Sequence, residues 1–213
     1  MPGTIVTIAQ QKGGAGKTTL AIHLGLAWAA SGTRVAIIDI DPQASLSTWF
    51  RLRNERRGTG STPIEALAVS GWRVTAEVER QAREHDIVLI DSPPHAETEA
   101  RIAVRAGKLV LVPVQPSPMD LWATKPILDL ARAEKTPVLL VLNRVPSRAK
   151  LTGAVLEAFK ALNVPLAEAQ IGNRVALAAA INEGQGILEY QRSSTAAREI
   201  TALAEELLRR VAV

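Results

Sequence analysis

The chain has 213 residues, of which 47% are hydrophobic and 22% charged, with a formal net charge of +4 at pH 7. These values are typical of a soluble globular protein with a sizeable core, and the length suits one α/β domain. The absence of cysteine excludes a cysteine-ligated zinc or iron–sulfur centre, and no apolar run reaches the roughly 20 residues that span a bilayer.

The amino terminus leads directly into an apolar run, so we predict no signal peptide and a cytoplasmic protein. From there, short apolar runs alternate with helical patterns. We predict strands at Ile5–Ala9, Val35–Ile38, Ile87–Ile90, Leu109–Val114 and Val138–Leu142. We predict helices at Lys17–Ala30, Glu97–Ala106, Leu121–Ala133 and Thr152–Leu162. The stretch from Asn54 to Trp72 fits neither pattern.

This alternation of strands and helices predicts βαβ units, and runs that are apolar throughout are expected of strands covered on both faces. The expected fold class is α/β, with a mostly parallel sheet between two helical layers, as in P-loop NTPases. A single P-loop ATPase domain over residues 1–213 is the simplest organisation, since the sequence has no internal repeat and no linker rich in Pro, Gly or Ser.

A glycine-rich loop separates the first strand from the first helix. It consists of Gln11-Lys12-Gly13-Gly14-Ala15-Gly16-Lys17-Thr18-Thr19. Glycines let successive backbone N–H groups turn towards phosphate oxygens, and the helix amino terminus adds its positive dipole end. We predict that Lys17 reaches the β- and γ-phosphates of ATP, that the Thr18 hydroxyl binds Mg²⁺, and that Thr19 is a further phosphate contact.

The loop departs from the usual G-x-x-x-x-G-K-[ST] pattern at its start, where Gln11 replaces the first glycine and Lys12 follows. With Lys17 already at the phosphates, a second lysine has little reason to fold back onto the same nucleotide. Lys12 could point outward to a nucleotide held by another subunit, or it could be an exposed loop residue. The loop by itself leaves both alternatives open.

Aspartates at the ends of two predicted strands complete the predicted site. Asp91 follows Ile87–Ile90 and is predicted to hold the metal, through water. Asp39 and Asp41 follow the second strand; we place Asp39 with the metal and Asp41 with the attacking water. The alternative for Asp41 is a turn or helix cap, since aspartate before proline is common at both.

Three motifs in this order resemble the ParA/MinD family of deviant Walker A P-loop ATPases. They are Lys12–Thr19, Asp39–Gln43 and Asp91–Pro94. Downstream, the chain is more similar to ParA than to MinD in Pro113–Pro118, Asn143-Arg144 and the tail from Ile171 to Tyr190. The resemblance covers nearly the whole chain. Because the first strand starts at about residue 4, we expect the short form without an amino-terminal helix-turn-helix.

The resemblance implies a weak Mg²⁺-dependent ATPase that forms a homodimer on ATP, with Lys12 contacting the nucleotide of the other subunit. It implies a hydrolytic role for Asp41 and adenine-side contacts from Asn143, Pro116 and Pro118. The dimer would bind double-stranded DNA without sequence preference and so associate with the nucleoid. A ParB-like or other activating protein on a cargo (plasmid, chromosome or protein cluster) would stimulate hydrolysis.

Nonspecific DNA binding needs basic side chains that face phosphates. The family resemblance places candidates in the carboxyl-terminal half, namely Arg148, Lys150, Arg174, Arg192 and Arg198. The densest basic cluster is more typical of a solvated loop or helix face than of a binding patch; it consists of Arg51, Arg53, Arg56 and Arg57.

Two other functions are weighed against this one. A MinD-like membrane-positioning ATPase would need an amphipathic tail, but Ile200, Leu203, Leu207 and Val211 recur at the spacing of a core-packing helix. A metabolic ATP-dependent ligase on the same fold would need its own polar substrate constellation, and no Ser/His/Asp or Cys/His set is present. We predict that His23, in the first helix, is a packed side chain.

The first prediction concerns Lys17. Replacing Lys17 with alanine removes the point charge on the β- and γ-phosphates, so we expect nucleotide binding to be lost. Calorimetric titration of the purified variant with MgATP measures this directly. Tight ATP binding by Lys17→Ala would contradict the phosphate-loop assignment.

Overall fold

The computed structural model describes residues 2–57, 61–94, 97–146 and 153–211. These residues form six strands and nine helices. The strands are β1 (Thr4–Ile8), β2 (Val35–Asp39), β3 (Glu65–Ala68), β4 (Ile87–Asp91), β5 (Leu109–Val114) and β6 (Val138–Leu142). The helices are α1 (Lys17–Ala30), α2 (Ser45–Arg57), α3 (Arg73–Glu84), α4 (Glu97–Ala106), α5 (Pro118–Ala133), α6 (Gly153–Lys160), α7 (Val175–Asn182), α8 (Ile187–Tyr190) and α9 (Thr195–Val211).

The strands form one parallel sheet in the order β3-β2-β4-β1-β5-β6. The predicted α/β fold with a parallel sheet is therefore confirmed. Strand β1 lies between β4 and β5, and β2 lies on the far side of β4. Because all strands run the same way, the loops that follow β1, β2, β4 and β6 leave the sheet at one edge. That edge carries the candidate site.

The sheet is covered on both faces because its inner strands are largely apolar and buried. In β4, Ile87 and Leu89 belong to a core cluster that also includes residues of α1 and α9. The alternate residues Val88 and Ile90 pack in another cluster, with residues of α3 and α4. A third cluster joins β5 and β6 to α5 and α6. Successive side chains of a strand point to opposite faces, so a continuous apolar run fills both cores.

Predicted boundaries agree with the structure to within one residue for the predicted strands, whereas α5 starts three residues earlier than predicted. The Ser117 hydroxyl accepts the Asp120 N–H at 3.1 Å and caps the helix, and Pro118 takes the first helical position. Proline fits there because its φ is already helical and it needs no N–H partner. The sequence pattern missed this start because it was read from the apolar repeat that begins at Leu121.

The unassigned stretch contains the end of α2 and the edge strand β3. Strand β3 pairs only with β2, and its residues are partly exposed. Its Glu-Ala-Leu-Ala sequence has little β-propensity, so pairing with β2 rather than local preference makes it a strand. The sequence pattern also did not predict α2, α3, α7 and α8.

Arg53 in α2 is buried, contrary to the solvated face predicted for its cluster. It is 2% exposed, and Nη1 and Nη2 donate to the two carboxylate oxygens of Glu189 at 2.9 and 2.8 Å. The same guanidinium donates to the carbonyls of Gly184 and Thr62 at 2.8 and 2.9 Å, and its Cζ lies 5.6 Å from the centre of the Trp49 ring. Fully hydrogen-bonded burial of this kind ties α2 to the segment around α8.

The carboxyl-terminal helix α9 packs on the core, as predicted. Ile200, Leu203, Leu207 and Val211 are all buried. The Trp28 Nε1–H of α1 donates to the Ala204 carbonyl at 3.0 Å. The apolar face of α9 is therefore covered by the core of the protein itself. Within the described ranges, we find no helix with the length and apolar content of a membrane span.

His23 joins α1 to α7 and α8, and its predicted packed role is confirmed. Its Nδ1 accepts the Ile187 N–H at 3.0 Å, and its Nε2 lies 3.1 Å from the Leu177 carbonyl. Because a backbone N–H can only donate, the ring is neutral, with its proton on Nε2 donated to Leu177. Burial lowers the pKa of His23 to about 4, although the bond to Leu177 opposes the shift.

The second prediction is a pH dependence of stability from His23. Its pKa falls from 6.5 in the unfolded chain to about 4 in the folded protein, so the unfolded chain binds more protons between these values. The contribution of neutral His23 is complete above pH 6.5 and is lost as the pH falls through 4. From pH 7 to 5, we expect this group to lower the free energy of unfolding by about 2 kcal/mol.

Urea unfolding of the wild type and of His23→Gln at several pH values between 7 and 5 tests this. Other titrating groups are common to both proteins, so the difference between their unfolding free energies isolates His23. The difference should shrink towards pH 5. Parallel curves would show that His23 does not titrate with a lowered pKa.

Candidate nucleotide site

The loops at the carboxyl edge of the sheet enclose a cavity of about 250 Å³. Its wall brings together the glycine-rich loop, the turn after β2 and the residues after β4 and β6. The lining residues are Gly13, Gly14, Gly16, Lys17, Thr18, Thr19, Asp41, Gln43, Ser45, Pro94 and Arg144. Apart from Ala15, which is buried beneath it, the predicted phosphate contacts Gly13–Thr19 all face this cavity.

Glycine is required at two positions in the loop. Gly14 and Gly16 have φ of 75° and 93°, in the left-handed region that side chains disfavour. A Cβ atom on Gly16 would also lie 2.5 Å from Asn143 Nδ2. That amide donates to the Ala15 carbonyl at 2.7 Å, so the loop is held from behind by the residue after β6.

The amino end of α1 is open towards the cavity. Helix α1 begins at Lys17, and no side chain caps it through Gly16. The first N–H groups of a helix have no partner within the helix, and together with the helix dipole they favour an anion. The loop therefore presents a phosphate-binding surface of backbone donors.

Lys17 is the buried cation of this surface. It is 7% exposed, and no carboxylate of the described ranges lies within ion-pair distance. Burial lowers its pKa, while Asp91 and Asp41 act in the opposite direction. A buried ammonium group without a direct counter-ion is the arrangement expected where a phosphate is to bind.

Thr18 and Asp91 form the candidate metal position. The Thr18 hydroxyl donates to Asp91 Oδ2 at 2.6 Å, whereas Asp91 Oδ1 is buried without a hydrogen-bond partner among the described residues. Burial raises the pKa of Asp91 to about 7, and the charges of Asp39 and Asp41 add to the increase. A hydroxyl oxygen and an unsatisfied carboxylate oxygen fit Mg²⁺, which prefers oxygen ligands.

Asp39 holds a turn in this structure, and its predicted metal role is left without support. Its Oδ1 accepts the Asp41 N–H at 3.1 Å, and its Oδ2 accepts the N–H and the hydroxyl of Ser47, both at 3.1 Å. Burial raises its pKa. Both oxygens are thus engaged in shaping the chain between β2 and α2, and this shape directs Asp41 to the cavity.

Asp41 is partly exposed at the cavity wall opposite the phosphate loop. Its Oδ1 accepts the Gln43 N–H at 2.9 Å, as in an aspartate-initiated turn. The alternative turn role is therefore present, and Asp41 also lines the cavity, while its role towards the attacking water stays a prediction. The two roles are compatible because one carboxylate has four acceptor positions.

A second cavity of about 340 Å³ adjoins the first and shares Gly16, Thr19 and Arg144 with it. Its other lining residues are Asn143, Gly172, Asn173, Arg174, Val175, Leu177 and Ala178. A nucleotide with its phosphates on the loop would place its base and sugar here. Asn143 lies at this cavity, whereas Pro116 and Pro118 line neither, so the shape of the site does not support them as adenine contacts.

The wall formed by Gly172–Ala178 and the participation of Arg144 were not predicted individually. The sequence signal was present, since Asn143-Arg144 and the tail from Ile171 belong to the downstream pattern. Arg144 has a φ of 53°, a left-handed conformation at a non-glycine residue. Such conformations concentrate at functional sites.

Lys12 does not extend away from its own subunit. Its Nζ lies 2.7 Å from Asp120 Oδ2 in the first turn of α5. The lysine side chain is 36% exposed, and that of the aspartate 3%. Lys12 is thus partly exposed and paired within its own chain, and its contact with a nucleotide held by another subunit stays a prediction.

The candidate DNA contacts can be followed at three positions, because Arg148 and Lys150 lie outside the described residues. Arg174 pairs with Glu199 at 2.6 Å beside the second cavity, and Arg198 donates to the Ser193 carbonyl and the Thr195 hydroxyl. Arg192 is exposed and pairs with no carboxylate of the described residues. A DNA-binding role for these residues stays a prediction.

Comparison with known proteins identifies the family. A model of the CobQ/CobB/MinD/ParA nucleotide binding domain matches residues 6–187. The chain is 32% identical over 212 residues to maintenance of carboxysome distribution protein A of Gloeobacter kilaueensis, covering 95% of this chain and 93% of that protein. It is 31% identical over 245 residues to the chromosome-partitioning ATPase Soj of Thermus thermophilus, covering 97% and 96%.

The fold is also that of a solved relative. The septum site-determining protein MinD of Pyrococcus horikoshii, complexed with Mg-ADP, aligns with a TM-score of 0.79 and 22% identity over 96% of each chain. The family model covers most of the chain, and both relatives exceed 30% identity over nearly their full length. The chain therefore belongs to the CobQ/CobB/MinD/ParA family of nucleotide-binding domains, and within it to the ParA/MinD ATPases.

Proposed function

We propose that this protein is a ParA-like positioning ATPase that dimerises on ATP, binds DNA nonspecifically and moves a cargo over the nucleoid. The observation that carries the proposal is the presence of two lysines in one phosphate loop. Lys17 is buried and lines the cavity, whereas the Lys12 side chain is 36% exposed and lies against Asp120. Lys17 suffices for the nucleotide of its own subunit, so we assign Lys12, once it leaves Asp120, to the nucleotide of another copy.

The names of the relatives support a positioning role. One is a carboxysome distribution protein and another a chromosome-partitioning ATPase. A protein cluster, a chromosome or a plasmid is therefore the expected cargo, and a protein on that cargo is the expected stimulator of hydrolysis. The MinD-like membrane alternative is less well supported because the apolar face of α9 is buried in its own core.

The chemistry proposed is in-line attack of water on the γ-phosphate. Lys17 binds the β- and γ-phosphates, Asp41 orients the attacking water, and Lys12 of a second copy adds positive charge at the leaving oxygens. Thr18 and Asp91 would hold Mg²⁺, which supplies charge neutralisation to the phosphates. Slow turnover in the absence of a stimulating protein is expected from the resemblance to ParA-like ATPases.

The third prediction is ATP-dependent DNA binding. Random-sequence duplex DNA should bind in the presence of ATP and not with ADP or without nucleotide, because only the dimer presents enough basic side chains. Affinity should fall steeply with salt, since counterion release dominates such binding. Fluorescence anisotropy with the three nucleotide conditions at fixed salt measures both effects.

Lys12→Ala should abolish this binding, while Lys160→Ala, which removes an exposed lysine paired with Glu157 on α6, should leave it intact. DNA binding that is equal in all nucleotide states would contradict a nucleotide switch. If DNA is not bound in any state, anionic vesicles are the next surface to test.

The fourth prediction concerns Asp41. Asp41→Ala should bind ATP normally but hydrolyse it much more slowly, because the water loses its orienting carboxylate while Lys17 and Thr18 remain. The ATP-bound dimer should therefore accumulate, as measured by light scattering after gel filtration. Asp129→Ala serves as the control, since that exposed carboxylate lies on α5 away from the cavity. Normal turnover in Asp41→Ala would contradict the role assigned to Asp41.

A further inference from the structure

The first two turns of α5 contact the start of the phosphate loop and the residue before it, at two points. Lys12 Nζ contacts Asp120 Oδ2 at 2.7 Å, and Gln10 Nε2 donates to the Thr124 hydroxyl at 3.4 Å. The Thr124 hydroxyl in turn donates to the Asp120 carbonyl at 2.7 Å. On the loop side, Gln10 Oε1 accepts the Gln11 N–H at 2.8 Å. The position of the loop before its glycines is therefore coupled to α5.

Asp120 is built to hold a cation. It is 2% exposed, and its Oδ2 also accepts the Ser117 hydroxyl at 2.5 Å. It lies in the first turn of α5, where the helix dipole favours a carboxylate. Its Oδ1 is buried with no hydrogen-bond partner among the described residues. Lys12 is thus the cation that compensates a carboxylate with little access to water.

We propose that Asp120 is a positioning residue that retains Lys12 on its own subunit, and that the dimer forms only when Lys12 exchanges Asp120 for phosphates held by a second copy. The proposal rests on the proposed function, since it requires two copies to share nucleotides. Asp120 thereby determines when Lys12 can reach the phosphates held by a second copy.

The exchange explains how the nucleotide can act as a switch. When Lys12 leaves, Asp120 remains buried with one counter-ion fewer, which is unfavourable. The phosphates offered by the second copy must supply a stronger attraction. A triphosphate carries more negative charge than a diphosphate, so ATP offsets the loss and ADP does not. Removing the charge of Asp120 should therefore weaken the requirement for ATP.

The fifth prediction is that Asp120→Asn frees Lys12. Asparagine keeps an oxygen for the Ser117 hydroxyl but lacks the charge that holds the ammonium group. Asp129→Asn is the matched control, because it makes the same change at an exposed residue of the same helix. Thermal unfolding of both variants verifies that they are folded, and Asp120→Ser replaces Asp120→Asn if the latter is not.

The first measurement is the rate at which Lys12 reacts with acetic anhydride in nucleotide-free protein, by mass spectrometry, relative to exposed Lys160. The relative rate should rise several-fold in Asp120→Asn and stay unchanged in Asp129→Asn. An unchanged rate at Lys12 in Asp120→Asn would overturn the proposal whatever the protein does with ATP.

The second measurement is self-association by sedimentation with ATP, ADP and no nucleotide. In Asp120→Asn, the protein concentration for half association with ATP should fall about tenfold, with some association appearing in ADP. If Lys12 reacts faster in Asp120→Asn but this variant associates as the wild type does, the proposed control of dimerisation by Asp120 is overturned. If neither protein associates with ATP although Lys12 is freed, the two-copy function itself is rejected, and the control with it.

Discussion

Backbone N–H groups at the amino end of α1 have no partner within the helix, and the rest of the site is arranged around this constraint. Gly14 and Gly16 turn the chain so that these donors face one cavity. Asn143 holds the loop from behind through the Ala15 carbonyl, which leaves no room for a side chain at Gly16. The parallel sheet supplies the surroundings, because β1 lies centrally and its neighbours end at the same edge.

The charges of the site are incompletely compensated without a ligand. Lys17 is buried and its pKa is lowered, while burial raises the pKa of Asp91 to about 7 and leaves one of its oxygens unsatisfied. Magnesium and phosphates would supply the missing partner to each. A ligand that satisfies such groups stabilises the folded state in proportion to its affinity. The site is therefore a place where nucleotide binding and local stability are linked.

Buried polar contacts outside the phosphate loop tie α1 and α2 to the segments around α7 and α8. His23 ties α1 to α7 and α8, and the buried pair of Arg53 and Glu189 ties α2 to the same region. Removing one partner of such a pair would leave the other charge buried without a counter-ion, which is strongly unfavourable. Of these contacts, the bond from His23 to Leu177 reaches a residue that lines the second cavity. Sequence patterns do not reveal them because the partners are far apart in the chain.

Local chemistry alone determined the parallel α/β fold, the phosphate loop and the strand-end aspartates, since glycine conformation, apolar runs and helix starts depend on neighbouring residues. The direction of Lys12, the turn-forming role of Asp39, the burial of Arg53 and the separation of Pro116 and Pro118 from the cavities were decided only by the tertiary structure. For the two charged side chains, the outcome depends on which distant residue comes to lie beside them: Lys12 meets Asp120, and Arg53 meets Glu189. A charged side chain has the same local sequence signal whether it faces water or a buried counter-ion, and only packing decides between these environments.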